Sequence, residues 1–321
     1  MGPDPPSHRA ALTATVLGAL ALSPLVLSDF LIGILTLSFV YAVFALSVDL
    51  VWGYAGVLTF GHAAFFGTGA YAMALLRTEG VVVGAVVAVA AAGLLAVSIA
   101  APLFRRGVGD EYFAIITLAV AVVATRIARS WGDLTGGSNG LLVDGLELPL
   151  PSGTATVSGD AFYLLALAAL VGAYLLVRRI VRSPLGLSVV GIARNERKAR
   201  SLGYEVARYR TAAFGLSGAL AGFAGALYAL HSGFVSPPLL GFELSTAVLI
   251  WVLVGGRGTL SGPVAGAVSL TVFENLLSGV FVFWWTFVLG LTLVVVVVAA
   301  PGGLHGVLGR VSARMRLAGW G

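Results

Sequence analysis

Side chains that could perform covalent chemistry are few in this sequence and stand far apart. There is no cysteine among the 321 residues, which excludes a disulfide, a thiolate metal site and a cysteine nucleophile. The four histidines, His8, His62, His231 and His305, do not have the spacing of metal ligands. The sequence also lacks a Ser/His or His/Asp/Glu cluster typical of an enzyme. We therefore predict that the chain is not an enzyme and binds no metal or other cofactor itself.

The stretch over residues 53–76 is apolar but contains repeated glycines and a few polar side chains. Glycine permits close helix approach, or a backbone that leaves helical geometry beside a cavity. A polar side chain inside a membrane usually faces the protein interior or water. The pattern fits either a broken helix that lines a pathway or tight packing with satisfied side chains, and for His62 alone a structural role is favoured. The candidate pathway residues here are Gly56, Thr59, Gly61, His62 and Gly67.

A carboxylate and an amide, Glu274 and Asn275, stand together within an apolar run over residues 260–280. A charge at that depth in a membrane is costly, so such a residue is a candidate for a functional role. We therefore name both as candidate pathway or gating residues. A structural hydrogen bond between helices explains the pair equally well, and the sequence identifies no partner for either.

The strongest local signal in the sequence is a basic segment over residues 182–210. From residue 178 to residue 210 there are nine lysines and arginines but only two acids, Glu196 and Glu205. Apolar and charged residues alternate there at roughly helical spacing, and Gly203 is typical of a helix stop. We predict a helix that docks a partner protein; the alternative is an amphipathic helix lying on anionic membrane lipid. The candidate docking residues are Arg194, Glu196, Arg197, Lys198, Ala199, Arg200 and Gly203.

The composition predicts which elements position these residues. The chain is 59% hydrophobic and 10% charged, with a mean hydropathy of +1.00, whereas soluble domains have about 25% charged residues. Its apolar runs approach the roughly 20 residues that a membrane-spanning helix needs, and they lack the alternation of a membrane β-barrel. We predict an all-α, polytopic membrane protein with eight to ten spans in one domain over residues 1–321. The predicted spans are 10–27, 29–51, 57–76, 80–104, 112–131, 160–181, 209–231, 241–256, 260–280 and 283–300.

The distribution of charge predicts the orientation of these spans. With the N-terminus inside, 16 of the 19 lysines and arginines fall on the inner side, as the positive-inside rule requires. This orientation places the tails 1–9 and 301–321 and the segment 182–208 in the cytoplasm, and the long loop 132–159 outside. The same basic loops account for the net charge of +5 and the pI near 9.8 without a nucleic-acid partner.

A glycine-rich loop over residues 255–263 superficially resembles a phosphate-binding loop. It lacks the lysine and the spacing of a P-loop, and no strand precedes it, so we predict a tight turn and no nucleotide site. Residues 258–261 (GTLS) echo residues 56–59 (GVLT), and each set follows a tryptophan. Repeated halves are common in transporters, but these few matched positions do not by themselves establish them.

Several segments, taken together and in order, resemble the permease subunits of branched-chain amino-acid ABC importers of the LivM type. The resemblance covers most of residues 30–310. The matching stretches are GYAGVLTFGHAAFFGTGAYAMALL (53–76), DEYFAIITLAV…SWGDLTGGSNGL (110–141), RSPLGLSVVGIARNERKARSLGYEVARYRTAAFGLSGALAGFAGALYA (182–229), VGGRGTLSGPVAGA (254–267) and LVVVVVAAPGGLHGVLGR (293–310).

The resemblance implies one membrane subunit of a multi-subunit importer in a bacterial or archaeal plasma (inner) membrane. In such importers two permeases, often one LivH-like and one LivM-like, form the pathway. Two ATPase subunits bind ATP at the cytoplasmic face, and an extracytoplasmic solute-binding protein delivers the solute. Glu196, Ala199 and Gly203 fall where a coupling helix carries its Glu-Ala-Ala…Gly pattern, with Arg197 and Lys198 in place of the two alanines.

Two other functions remain open from the sequence. Permeases for urea and short-chain amides resemble the same family, and the solute is not specified by this chain because selectivity largely comes from the binding protein. An ion-coupled secondary amino-acid transporter usually buries ionisable residues along its path. Here only Glu274 is clearly mid-span, with Asp49 near an inner end. We therefore expect an importer subunit that partner ATPases drive.

Overall fold

The computed structural model describes residues 15, 18–76, 79–143, 145–150, 153–157 and 159–278, which are predominantly helical. The α-helices of six or more residues are α1 (Asp29–Asp49), α2 (His62–Leu75), α3 (Val81–Arg105), α4 (Asp110–Ser130), α5 (Asp160–Arg182), α6 (Pro184–Arg194), α7 (Glu196–Ser201), α8 (Val206–Ser232), α9 (Phe242–Gly255) and α10 (Ser261–Ser278). The predicted tails 1–9 and 301–321 and the predicted span 283–300 lie outside the described residues, as does part of the span 10–27.

Five helices of the described chain are long and apolar enough to cross a membrane. They are α1 with its continuation to Tyr54, α3, α4, α5 and α8. Each lies within a few residues of a span predicted from the sequence, which confirms the all-α, polytopic architecture. The fourteen residues of α9 extend only about 21 Å, less than the ~30 Å of a hydrocarbon core. The predicted span 57–76 is helical only from His62, where α2 begins, so its first residues belong to a break in the helix.

The centre of the bundle is formed by α8 and α1. In the most apolar stretch of α8, 78% of the residues are buried, against 22% in α3. The outer faces of α3, α4 and α5 carry exposed apolar side chains such as Val86, Val123 and Leu176. Helices with such faces are suited to contact with lipid, whereas α8 is enclosed by protein.

Small residues allow helices to pack closely against α8. The buried face of α3 consists of one residue in four: Gly84, Ala88, Ala92, Ala96, Ala100 and Phe104. A Cβ atom on Gly225 of α8 would collide with the carbonyl oxygen of Phe66 in α2. Small side chains at such spacing are the common means of close helix approach in membranes, where van der Waals contact replaces the hydrophobic effect.

One end of the bundle, the basic end, carries the basic segment. It comprises residues 49–56, 104–110, 182–210 and 256–260. Contacts join these stretches: Gly258 bonds to Asp49, and Arg210 pairs with Asp110. The structure therefore places these stretches close together, as is expected of loops that share one side of a membrane.

The opposite end, the loop end, comprises residues 131–143 and 233–241. The predicted loop 132–159 contains three strands: β1 (Leu141–Leu142), β2 (Leu146–Leu150) and β3 (Gly153–Val157). The strands β2 and β3 form an antiparallel hairpin. The strand β1 pairs antiparallel with β4 (Phe234–Val235), which directly follows α8. Backbone hydrogen bonds thus tie this loop to the far end of the central helix.

Candidate functional site

The helix break predicted near the repeated glycines lies between α1 and α2. A π-helical turn, Leu50–Tyr54, extends α1, and the backbone is then non-helical from Ala55 to Gly61. Gly56 has a φ of +74°, a conformation that residues with a Cβ rarely adopt. A Cβ atom at this position would lie 3.3 Å from the Cβ of Ala193 in α6. The chain therefore leaves helical geometry beside the basic segment, and glycine is what allows it.

Hydroxyl groups from other helices satisfy the backbone at this break. The first N–H groups of a helix have no partner within it. The amide of Phe60 donates to Thr117 of α4 at 3.2 Å, and the amide of Ala63 donates to Ser245 of α9 at 3.0 Å. Thr59 is fully buried and accepts a bond from the amide of Gly61 at 3.3 Å. The break is thus anchored to two neighbouring helices, and this explains why Thr59 is polar.

His62 is fully buried at the first position of α2. Its Nε2 lies 3.0 Å from Oγ of Ser217, and that hydroxyl donates its proton to the carbonyl of Ser47. Since a hydroxyl has one proton, Nε2 must carry the hydrogen and donate it to Ser217. The Nδ1 atom has no partner within the described residues. His62 thereby joins α2, α8 and α1, which fits the structural role favoured from its sequence.

Two of the predicted pathway glycines are close-packing positions. A Cβ on Gly61 would collide with the carbonyl of Thr117, and a Cβ on Gly67 would collide with Leu240 at the loop end. These contacts explain why glycine is needed at both positions, and they do so without contact to a solute. A role for Gly56, Thr59, Gly61, His62 or Gly67 in lining a pathway stays a prediction.

The glycine turn before α10 contacts the end of α1. The amide of Gly258 donates to Oδ1 of Asp49 at 2.7 Å, and Asp49 is almost fully buried. The guanidinium of Arg257 lies 5.2 Å from the ring centroid of Trp52. The turn that carries the second of the two echoing sequences therefore meets the helical turn that precedes the first, at the basic end. Asp49 was absent from our candidate sites, although a carboxylate ending an apolar helix before a glycine turn is a usable signal.

Glu274 and Asn275 lie half-buried near the end of the described part of α10. The Nδ2 of Asn275 donates to the carbonyl of Thr271 at 2.8 Å, within the same helix. The pathway role of both residues stays a prediction.

The basic segment folds as two short helices instead of the single helix expected over 185–203. Ser183 caps α6 by accepting the amide of Gly186, and Asn195 caps α7 by accepting the amide of Lys198 at 3.0 Å. Asn195 is extended, with φ −156° and ψ 90°, so the helix cannot pass through it. Asparagine is a preferred N-cap, and this signal was missed. The predicted stop at Gly203 is present, with a φ of +85°.

The outer surface of these two helices mixes apolar and cationic side chains. Ala199 is buried against Ile192 and Val206, so it holds α7 to the bundle. Leu187, Leu202 and Tyr204 remain exposed by 64%, 68% and 43%. They line a groove of about 310 Å³ between α6 and α7, which Lys198 also lines. We call Leu187, Leu202, Tyr204, Arg194, Arg197 and Lys198 the docking surface.

A buried arginine connects this segment to the bundle. The side chain of Arg210, only 9% exposed, lies 3.1 Å from Asp110 of α4 and 3.1 Å from Glu196 of α7. Glu196 also pairs with Arg200, which was predicted as a docking residue. The pairing of Asp110 with Arg210 was not foreseen, because the two residues are 100 positions apart in the sequence. A near-neutral cluster of two arginines and two carboxylates results.

Comparisons with known proteins identify relatives of this chain. A family model described as branched-chain amino acid transport system / permease component matches residues 30–297. The high-affinity branched-chain amino acid transport system permease protein LivM of Escherichia coli (strain K12) is 32% identical over 311 residues, covering 88% of this chain and 71% of that protein.

More distant relatives carry different names. The probable branched-chain amino acid transport permease protein LivH of Methanocaldococcus jannaschii is 26% identical, covering 73% of this chain and 76% of that protein. The autoinducer 2 import system permease protein LsrC of Klebsiella pneumoniae is 32% identical, covering 52% of this chain and 59% of that protein. No solved structure matches this chain significantly.

Proposed function

This chain belongs to the branched-chain amino acid transport system permease family, and from that premise we propose that it forms half of the pathway of an ATP-driven importer. The proposed solute is a branched-chain or related amino acid, as in the names of the LivM and LivH relatives. The existence of two kinds of permease among these relatives supports a LivH-like partner chain. A solute-binding protein outside the membrane delivers the solute at the loop end.

The basic end faces the cytoplasm in this proposal. Exposed arginines at the ends of α3 and α5, and the cations of α6 and α7, are gathered at this one end. Lysine and arginine are retained on the cytoplasmic side during membrane insertion. The strand-paired loop 132–159 then lies outside, where the binding protein docks.

The docking surface is the observation that carries the proposed coupling to ATPases. A helix that lies on lipid presents one apolar face to the membrane, whereas Leu187, Leu202 and Tyr204 border a concave groove between two helices, beside Lys198. Protein interfaces characteristically combine such apolar anchors with a polar rim. ATPase subunits bind here, one to each permease, and their closure on ATP moves α6 and α7. ATP drives this change because it binds the closed ATPase dimer better than the open one.

The two other functions considered from the sequence receive less support. None of the relatives named above is a urea or amide permease. An ion-coupled transporter needs a buried ionisable group on its path. Asp49 is such a group, but one oxygen of its carboxylate is engaged by the amide of Gly258 at the basic end.

Sidedness is tested by labelling single cysteines, since the chain has none of its own. Lys198→Cys and Leu142→Cys place a thiol at the basic end and at the loop end, and both positions are exposed. In intact cells an impermeant maleimide should label Leu142→Cys and label Lys198→Cys only after the membrane is opened. Labelling of Lys198→Cys from outside would overturn the proposed orientation.

Docking is tested by co-purification of the ATPase subunits from native membranes. We expect Leu187→Ser combined with Leu202→Ser to lose these subunits and to abolish uptake of labelled leucine. The triple change of Arg197, Lys198 and Arg200 to alanine should weaken both. The matched control is Leu176→Ser, an exposed leucine on α5 outside the docking surface. Unchanged association and uptake in both docking variants would show that the ATPases bind elsewhere.

A further inference from the structure

The ion pairs between the basic segment and the bundle converge on one side chain, that of Arg210. Arg210 lies in the first turns of α8, and its two terminal nitrogens reach two different helices. Nη1 is 3.1 Å from Asp110, the first residue of α4, and Nη2 is 3.1 Å from Glu196, the first residue of α7. The guanidinium group of Arg210 is a planar fork of N–H donors with fixed directions, so it sets the positions of both carboxylates at once.

The surroundings of Arg210 hold the fork in one orientation. Its side chain is 9% exposed, and its guanidinium carbon lies 5.8 Å from the ring centroid of Phe104 at the end of α3. Phe104 stacks on Phe113 at 4.7 Å with an interplanar angle of 6°. The guanidinium is thus held on one side by an aromatic floor and on the other by two carboxylates.

The aromatic floor continues to the helix break. Phe214 of α8 packs edge-on against Phe104 at 6.4 Å, and its ring lies 6.1 Å from the ring of His62. His62 is the first residue of α2 and is bonded to Ser217. Side-chain contacts therefore run without interruption from Glu196 of α7 through Arg210 to the residue where α2 begins.

Independent contacts of α7 with the bundle are few. It has six residues, and its buried side chain is Ala199, which packs on Ile192 and Val206. That apolar contact is small and non-directional, whereas the bonds to the buried arginine fix both distances and angles. The other partner of Glu196, Arg200, is on α7 itself and fixes nothing beyond it.

We propose that Arg210 is the positioning residue that transmits movement of α7 to the starts of α4 and α8. This inference rests on the proposed function, in which ATPase closure displaces α6 and α7. The fork makes the three helix ends move together, so that displacement at the docking surface reaches the pathway. Without the fork, α7 moves alone, and ATP is hydrolysed without solute movement.

The experiment uses the complete importer in proteoliposomes, with both permeases, the ATPases and the binding protein. Solute uptake and ATP hydrolysis are measured together. Arg210→Lys keeps the charge but replaces the fork with a single ammonium. We expect the complex to assemble and hydrolyse ATP while uptake per ATP falls at least about fivefold, the lower end of typical coupling between sites. Arg106→Lys, at an exposed arginine of the same end, should leave the ratio unchanged.

A second variant separates transmission from docking. We call Arg210 with Asp110 and Glu196 the joint. Asp110→Asn removes the charge of the carboxylate that α4 contributes to the joint. It lies outside the docking surface and leaves Arg210 in place. We expect partial uncoupling with normal ATPase association, and Arg210→Lys combined with Asp110→Asn should lower the ratio no further than Arg210→Lys alone. If the importer with Arg210→Lys does not assemble, uptake per ATP in the Asp110→Asn importer tests the role of Arg210 instead.

The outcomes distinguish the inference from its premise. An unchanged ratio in the assembled variants overturns the role of Arg210. Failure of the unaltered chain to associate with ATPases overturns the proposed function and the inference that rests on it.

Discussion

Two regions of α8, its middle and its first turns, are held by opposite kinds of contact. From Gly215 to Gly225, glycines without a Cβ let its backbone approach α2 and α3 closely. At Arg210 it is joined to α4 and α7 through a long charged side chain. The first contact is defined by volume and the second by the direction of hydrogen bonds.

This difference determines what each region tolerates. Backbone groups cannot move aside for an added methyl, so the packed region is sensitive to size and insensitive to charge elsewhere. The charged region contains carboxylates that are partly exposed, 46% for Asp110 and 32% for Glu196, so water can replace a lost partner. We therefore expect substitutions in the packed region to reduce stability and substitutions at the joint to affect coupling more than folding.

The largest stability effect is expected for Gly225→Ala. Its methyl group would collide with the carbonyl of Phe66, and we expect unfolding in detergent to become easier by about 3 kcal/mol, the upper end for overpacking. Gly172→Ala, on α5 where the space is open, should leave the thermal midpoint unchanged or slightly raise it. Equal stability of the two variants would mean that the α8–α2 contact is looser than described.

A somewhat smaller effect is expected at the helix break. Ser245→Ala leaves the buried amide of Ala63 without its acceptor, and we expect a loss of about 2 kcal/mol. The neighbouring Thr246→Ala should change stability by less than about 0.5 kcal/mol, since Thr246 is half-buried and its hydroxyl donates to the carbonyl of Phe242 in its own helix. Denaturant unfolding of both variants checks this, and a neutral Ser245→Ala would contradict an anchored break.

The charged joint should affect stability less than the packed core does. Arg210→Met removes two charge-assisted bonds but leaves carboxylates that water can reach, so we expect a loss of about 1.5 kcal/mol. Arg208→Met, at an ion pair with 84% and 73% exposed side chains, should lose less than about 0.5 kcal/mol. If Arg210→Met lost more stability than Gly225→Ala, the charged joint would contribute more to stability than the packed region does, contrary to our expectation.

The smallest of these effects is local to α7. Asn195→Ala removes the cap on the amide of Lys198, which we expect to cost about 1 kcal/mol of helix stability. Amide hydrogen exchange over residues 196–201 should accelerate about fivefold, while Asn195→Asp, which retains a capping oxygen, should exchange as the parent does. Unaltered exchange in Asn195→Ala would show that Ala199 alone holds this helix.

Much of the fold was predictable because long apolar runs and clustered cations have one physical solution in a membrane. The spans at α3, α5 and α8 followed from hydropathy, and the break near Gly56 followed from repeated glycines. The end of α7 at Gly203 followed from the conformational freedom of glycine. These are local signals, and a single stretch of sequence contains each of them.

The remaining features depend on contacts between distant parts of the chain. No local pattern links Arg210 to Asp110 across 100 residues, or Gly258 to Asp49 across 209. The division of the basic segment at Asn195 was available from capping rules but was masked by the stronger charge pattern. Ala199 appeared to be part of a partner-binding motif, whereas its packing on Ile192 explains it from within the protein.

The pairing of β1 with β4 has a mechanical consequence when it is combined with the joint at Arg210. The loop after α4 is bonded to the end of α8 through Leu141–Val235 and through the amide of Val143 to Gly233 at 2.8 Å. α4 and α8 are thus connected at both ends of the bundle, by an ion pair at the basic end and by strand pairing at the loop end. A movement that separates α4 from α8 would have to break one of these sets of hydrogen bonds, so we expect the two helices to move as one unit.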